Sequence, residues 1–300
     1  MACLPIAALA TIIDCEGWQN KKHLSVPIGS SEVSQRLIAP APHAGTSLGH
    51  PSYIWTAGLE RRLRLVTSRV ALQDARILDI GCGIGAFVRR LRELSPWVYG
   101  VDVDLKRVVE GGQELPNLAL AASERLPFPD GTFDVVLLHE VIEHVTDDRK
   151  TLVEAIRVLR GGGHAVIFCP NRLYPFETHG VYLGRRYVFG NIPLVNYLPS
   201  PVRNRLVPHA RAYTRARLRR LWRGLSVRAL LHTQVYPGFD HLIARRKALG
   251  GIIKPLLQGL EGTPLRIFGL SHLVILEKNP DERLNTLPPE TPAQSKRTSP

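Results

Sequence analysis

The residues best placed to do chemistry begin at residues 78–87, LDIGCGIGAF, where Asp79, Gly81, Gly83 and Gly85 lie in a turn between an apolar run and a helical pattern. Glycines there allow a tight turn and close approach of a ligand to the main chain, and the helix start offers free N–H groups. Asp102 follows 21 residues after Gly81, at the end of the run VYGVD. Residues 81–86 also satisfy G-x-G-x-x-G/A, so the loop by itself suits a nicotinamide dinucleotide as well as a sulfonium nucleoside. Asp79 tips the balance towards the second. A carboxylate just ahead of the glycines can receive an ammonium group, whereas it would repel a pyrophosphate.

A second group of candidates could move protons. His139 and His144 lie in HEVIEHV (139–145), and His179 and His209 follow in a later segment, with Tyr174 and Tyr187 as lesser options. His139 has the best position, at the end of an expected strand. Glu140, Glu143 and His144 form an E-x-x-E-H constellation that could hold a divalent cation. The plainer reading, that Glu143 and His144 open a solvated helix, is preferred, and no metal ligand is expected. Four cysteines, Cys3, Cys15, Cys82 and Cys169, make no C-x-x-C pair, which fits a reduced, cytoplasmic setting without structural zinc. Cys169 before Pro170 reads as a buried thiol at a strand end rather than as a nucleophile.

The elements that must position these residues are legible from periodicity. Strands are expected at 75–80, 98–102, 118–122, 133–140 and 164–169, with helices near 57–70, 86–95, 104–112 and 148–159 and two further strands near 227–235 and 272–277. Alternating short β-branched runs and helices predict a parallel sheet covered on both faces. Asp104 reads as a helix cap rather than a ligand, and Thr214 as the cap of an amphipathic helix with Leu218, Leu221 and Trp222 inward. Residues 1–50 and 279–300 read as a weakly ordered extension and tail around a domain spanning 51–278. No apolar run approaches the roughly 18 to 20 residues needed to cross a bilayer, and no basic residue precedes the short apolar start, which argues against a secretory signal.

The ordered series LDIGCGIGAF, GVDVD (100–104), LPFPDGTFDVV (126–136), HEVIEHV and RVLRGGGHAVIFCPN (157–171) resembles the class I S-adenosylmethionine-dependent methyltransferases, especially the ubiquinone and menaquinone biosynthesis branch. The resemblance covers roughly residues 57–171. It implies a Rossmann-like α/β fold with a seven-strand sheet, and S-adenosylmethionine as cofactor. Asp79, Gly81 and Gly83 would serve the methionyl end, Asp102 the ribose hydroxyls and Val103 the adenine face. Ser123 and Glu124 would flank the adenine edge, and His139 would sit near the methyl group. Two positions depart from the usual pattern: Ala122 stands where an Asp is common, and Gly161 where a Pro is common. Methyl transfer from a sulfonium needs alignment of the nucleophile and removal of its proton, and His139, His144 and His179 are the candidate catalytic residues. The strand end LLHE lacks the N/D-P-P-Y element that grips an exocyclic amine, so adenine or glutamine N-methylation is disfavoured.

Charge points to the partner. Residues 1–171 hold 18 Lys and Arg against 19 Asp and Glu, but residues 172–254 hold 16 against 2. The segment 172–223, between the fifth and sixth strands, reads as a substrate-cap insert carrying Arg203, Arg205, Arg211, Arg215, Arg217, Arg219, Arg220 and Arg223. Together with apolar residues of 242–269 it suggests a dock for an anionic membrane surface or a small-molecule or lipid-linked acceptor, with nucleic acid as the less favoured partner. The expected activity is O-methylation, with C-methylation second, of a lipid, quinone-like or saccharide acceptor by a cytoplasmic enzyme that sits peripherally at the membrane. The alternatives are a non-catalytic cofactor-binding module, an RNA methyltransferase, and hydride transfer with a dinucleotide.

Overall fold

Apolar side chains alternate along each central strand between two separate cores, and this period of two sets the architecture. The computed structural model describes residues 56–238 and 255–280. In chain order the elements are α1 (Thr56–Thr67), β1 (Ile77–Ile80), α2 (Ala86–Leu91), β2 (Val98–Asp102), α3 (Leu105–Gly112), β3 (Leu118–Leu120), β4 (Phe133–His139), α4 (Asp148–Val158) and β5 (Leu159–Pro170). After β5 come β6 (Phe176–Glu177), β7 (Val181–Leu183), β8 (Arg186–Val188), β9 (Ile192–Pro193), α5 (Ser200–Leu206) and α6 (Arg215–Leu221). The chain then closes with β10 (Val227–Val235) and β11 (Ser271–Lys278).

Seven strands form one sheet in the order β10-β11-β5-β4-β1-β2-β3. The pairs β3-β2, β2-β1, β1-β4 and β4-β5 are parallel, and β11 runs antiparallel between β5 and β10. Ile77, Val135, Leu137, Val166, Phe168, Leu273 and Ile275 face a core completed by Leu63 and Val66 of α1, Phe87, Val88 and Leu91 of α2 and Val108 of α3. Leu78, Ile80, Val136, Leu138, Ala165, Ile167, Val274 and Leu276 face the opposite core, built on Leu152, Ala155 and Ile156 of α4 and Leu218 and Leu221 of α6. The expected strands all occur. β5 begins earlier than the expected residue 164 because Gly161–Gly163, a turn-like run, is absorbed into the strand with a register shift against β4.

The expected helix caps hold. Asp104 accepts from the amides of Lys106 and Arg107, at 2.9 and 3.4 Å, and Thr214 accepts from Arg217 at 3.2 Å. Leu218 and Leu221 are buried and Trp222 is partly so. The insert divides differently from the expected 172–223. A parallel bridge between Asn171 and Tyr213 closes the excursion, so residues 172–212 form the cap and α6 packs with α4 on the sheet. The expectations for residues 1–50, for 242–254 and for the tail beyond 280 lie outside the described residues.

The cap has a small core of Val181, Val195, Val207 and Ala210. At its centre is an ion pair between Arg203 and Glu177 at 2.6 Å, with side chains 1% and 2% exposed. Arg203 also donates to Asn196 and to the carbonyl of Ala210. Removing one member of such a pair strands a buried charge, at a cost of about 3–5 kcal/mol. Arg203→Met should therefore lower the urea midpoint by that equivalent. Arg203→Met with Glu177→Leu should recover most of the loss.

Candidate active site

The carboxyl ends of β1 and β4 lie side by side where the chain reverses direction in strand order, the crevice in which open α/β sheets hold ligands, and β2 ends on the other side of β1. Gly81, Gly83 and Gly85 there have φ of 74°, 56° and 82°, left-handed values that side chains resist. A Cβ on Gly81 would come within 2.4 Å of Val141, and one on Gly85 within 2.4 Å of Leu115, so both sites are packed tight. A Cβ on Gly83 would meet nothing within 4 Å. Gly83 is thus the glycine whose open side can be approached by a ligand.

Two buried carboxylates frame this loop. Asp102 is 7% exposed and accepts from the amide of Gly83 at 2.8 Å and from that of Asp104 at 2.9 Å. Its carboxylate therefore shapes the loop, and each oxygen keeps a lone pair for a further donor. Asp79 is 2% exposed; burial, reinforced by the charge of Asp102, raises its pKa to about 8. A ligand ammonium would restore its charge. Next to Asp102, Val103 is 76% exposed, an apolar side chain available to a planar ring. The cradle at Gly83 with Asp79, which has no cation beside it among the described residues, the spare lone pairs of Asp102 and the exposed Val103 fit the methionyl, ribose and adenine parts of S-adenosylmethionine respectively. Ser123 is buried, 3.0 Å from the hydroxyl of Thr151, and it donates to Glu124 at 3.1 Å. Glu124 receives the amides of Thr146 and Asp147, so it ties down the loop after β4.

His139 ends β4 with its ring 5.0 Å from Phe87 and 5.4 Å from Phe168, and its buried Nε2 has no hydrogen-bond partner among the described residues. Burial, with the nearby Arg62, lowers its pKa to about 3. His139 is therefore a neutral imidazole at working pH, and one of low basicity. Arg62 of α1, which sequence reading missed, bonds Glu140 at 2.6 Å, and Ser271 of β11 donates to the same carboxylate at 2.8 Å. Glu140 opposes burial through the Arg62 charge and stays ionised. It also adopts a φ of 57°, turning the chain away from the strand.

The expected solvated helix at 143–144 is absent. Glu143 is 1% exposed in a loop that precedes α4, and neither carboxylate oxygen has a hydrogen-bond partner among the described residues. Burial and the adjacent Glu140 push its pKa well above normal. Glu143, His144 and His179 each bring a potential ligand atom within 4.8 Å of one another, so His179 replaces Glu140 in the expected constellation.

The cap supplies this partner. Nδ1 of His179 lies 2.9 Å from the Glu177 carboxylate, and its ring centroid is 5.3 Å from that of His144. Burial alone would raise Glu177, but the hydrogen bond from His179 and the charge of Arg203 hold it at about 2. His144 Nδ1 bonds the His209 carbonyl at 2.9 Å, and His209 Nε2 bonds that of His179 at 3.0 Å. Tyr187, a lesser candidate, spends its hydroxyl on the His179 carbonyl at 2.6 Å, and Tyr174 is partly buried. Arg211 donates to the carbonyls of Val145 and Thr146, and the Tyr213 hydroxyl lies 2.8 Å from that of Ile142, fastening the cap to the loop after β4. Cys169 is buried, its thiol pushed up by burial, as expected of a packing residue.

A seven-strand sheet with one antiparallel strand, a glycine loop after β1 and an acid ending β2 define a nucleoside-binding α/β enzyme. The methyltransferase-domain family matches residues 78–167. The demethylmenaquinone methyltransferase of Beutenbergia cavernae is 30% identical over 207 residues, 67% of this chain and 80% of that protein. The ubiquinone biosynthesis O-methyltransferase of Aromatoleum aromaticum is 29% identical over 139 residues, 44% of this chain and 59% of that protein. An S-adenosylmethionine-dependent methyltransferase of Mesorhizobium loti shares the fold, with a TM-score of 0.53 and 20% identity over 74% of this chain and 100% of the other. The chain belongs to the class I S-adenosylmethionine-dependent methyltransferases. Its cofactor is S-adenosylmethionine.

Asp102→Ala removes a carboxylate that both shapes the loop and can bind ribose, and Gly83→Arg fills the cradle. Both variants should fold and lose calorimetric binding of S-adenosylhomocysteine; tight binding by Asp102→Ala would refute the assignment. Below pH 8 the free Asp79 is protonated and must lose its proton to meet the ligand ammonium, so affinity should fall as pH drops through about 8. Titration at pH 7 in buffers of different ionisation enthalpy should detect a released proton that Asp79→Asn does not release.

Proposed function

We propose that the enzyme methylates a hydroxyl oxygen of an acceptor of quinone-like, lipid-linked or saccharide type, with His179 taking the acceptor proton. The observation that carries this reading is the Glu177–His179 pair beside His144. Glu177 receives Nδ1–H, which leaves the Nε2 lone pair as the basic site and stabilises the imidazolium formed when the proton arrives. S-adenosylmethionine contributes a methyl group already activated on a sulfonium. The protein's part is to hold the hydroxyl in line with it, keep water away and accept the proton at Nε2.

Two considerations support the acceptor class. The relatives from Beutenbergia and Aromatoleum carry names from quinone biosynthesis, and the second is an O-methyltransferase. The cap also exposes large apolar residues, with Phe189 at 71%, Leu194 at 62% and Leu183 at 58%. Such residues on a strongly basic segment suit an acceptor presented at an anionic membrane surface. Among the described residues no helix is long and apolar enough to cross a membrane. A second reading rests on the unpartnered Glu143 carboxyl: with His144 and His179 it offers a donor set for a divalent cation, which would lower the pKa of a bound phenol.

His179→Gln should reduce kcat by about 10²–10⁴-fold, the usual scale of a lost general base. It should leave S-adenosylhomocysteine affinity unchanged, with prenylated phenols, saccharides and RNA tested as acceptors. Wild-type kcat in this variant would overturn the assignment. Metal-free enzyme with full activity after chelation would exclude the cation reading and leave the base in place.

A further inference from the structure

A cavity of about 550 Å³ lies away from the methyl-transfer site, between α6 and the edge strand β10. Arg215, Arg219 and Arg223 line one wall, spaced i, i+4 and i+8 along α6 and the turn that follows it. Trp222 and His232 form the floor, their rings 5.6 Å apart and edge to face. No carboxylate lines the groove, and none of the three guanidinium groups has an acidic partner among the described residues.

Other arginines of the segment are used by the fold. Arg203 is paired with Glu177, Arg211 caps the loop after β4, Arg172 donates to the Leu198 carbonyl, and Arg217 lies over the Tyr213 ring near Asp148. The arginines with structural work thus point elsewhere, and those of the groove are left to repel one another. Arg215 feels both Arg219 and Arg266, which together with desolvation press its pKa down. A concave wall of three like charges beside aromatic rings concentrates positive potential and favours a compact anion.

We propose that the groove between α6 and β10 binds a phosphate-bearing ligand, with Arg215, Arg219 and Arg223 on the phosphate oxygens and Trp222 against its non-polar part. The ligand is of the phosphomonoester or diphosphate class. Three strands separate β10 from β1, and at roughly 4.8 Å per step the groove lies about 19 Å across the sheet from the cofactor loop. The site is therefore separate from the pocket that holds S-adenosylmethionine. It does not depend on the acceptor proposed above.

Calorimetric titration of the full chain with inorganic pyrophosphate should show one site. Arg215→Gln with Arg219→Gln should weaken it by about tenfold or more. Arg220→Gln, on the same helix but outside the groove, should leave it unchanged, and S-adenosylhomocysteine should bind all three proteins equally, which separates a lost groove from a lost fold. Equal pyrophosphate binding by wild type and the double variant, or an equal loss in Arg220→Gln, would overturn the proposal in favour of diffuse charge attraction. Vesicles of phosphatidylcholine with phosphatidic acid identify the source. Displacement of pyrophosphate by these vesicles assigns the groove to a lipid headgroup, and retained pyrophosphate binding in their presence assigns it to a soluble phosphate ester.

Discussion

Two carboxylates buried side by side, Asp79 and Asp102, are the constraint around which the catalytic end of this enzyme is arranged. Water cannot solvate them fully, and each must find donors or a cation nearby. Asp102 finds its donors in the amides of Gly83 and Asp104, and in doing so it fixes both the glycine loop and the entry to α3. Among the described residues Asp79 has no cation as partner, and burial with the charge of Asp102 raises its pKa to about 8. The cofactor site is in this sense electrostatically incomplete. A ligand with an ammonium group and ribose hydroxyls completes it, whereas a pyrophosphate would meet two acids.

The same logic of buried charge organises the other side of the site. The Arg203–Glu177 pair sits inside the cap, and the second oxygen of Glu177 receives the ring of His179. One carboxylate therefore holds the cap together and orients the imidazole nearest His144. This coupling ties the position of His179 to the cap core, because moving it would disturb a charge pair that cannot be resolvated. Arg62 performs a related task across the sheet, drawing Glu140 and Ser271 together.

Much of this was legible in the chain. The seven strands followed from alternation, since every second residue had to enter one of two cores. The caps Asp104 and Thr214 followed from local hydrogen-bond rules, and the glycine loop followed from its spacing. The reading failed where neighbours distant in sequence decide. Glu143 looked like part of a solvated helix start because nothing local shows that residues 211–213 fold back over it, while His144 beside it is exposed. The surroundings of His139, packed against Phe87 and Phe168 and near Arg62, 77 residues earlier in the chain, are likewise outside the reach of local spacing.

The sequence by itself determined the strand and helix pattern, the glycine loop with its two acids, the family and the uneven charge, because each depends on periodicity, spacing or composition along the chain. Only the tertiary structure decided which charges are free. It buried Arg203 against Glu177, spent Arg211 on carbonyls, turned Glu140 towards Arg62 and left Arg215, Arg219 and Arg223 along one groove. The physical reason is that solvation and pairing energies depend on the three-dimensional surroundings of a charge. Those surroundings come from residues brought together by the fold, and a linear spacing does not contain them.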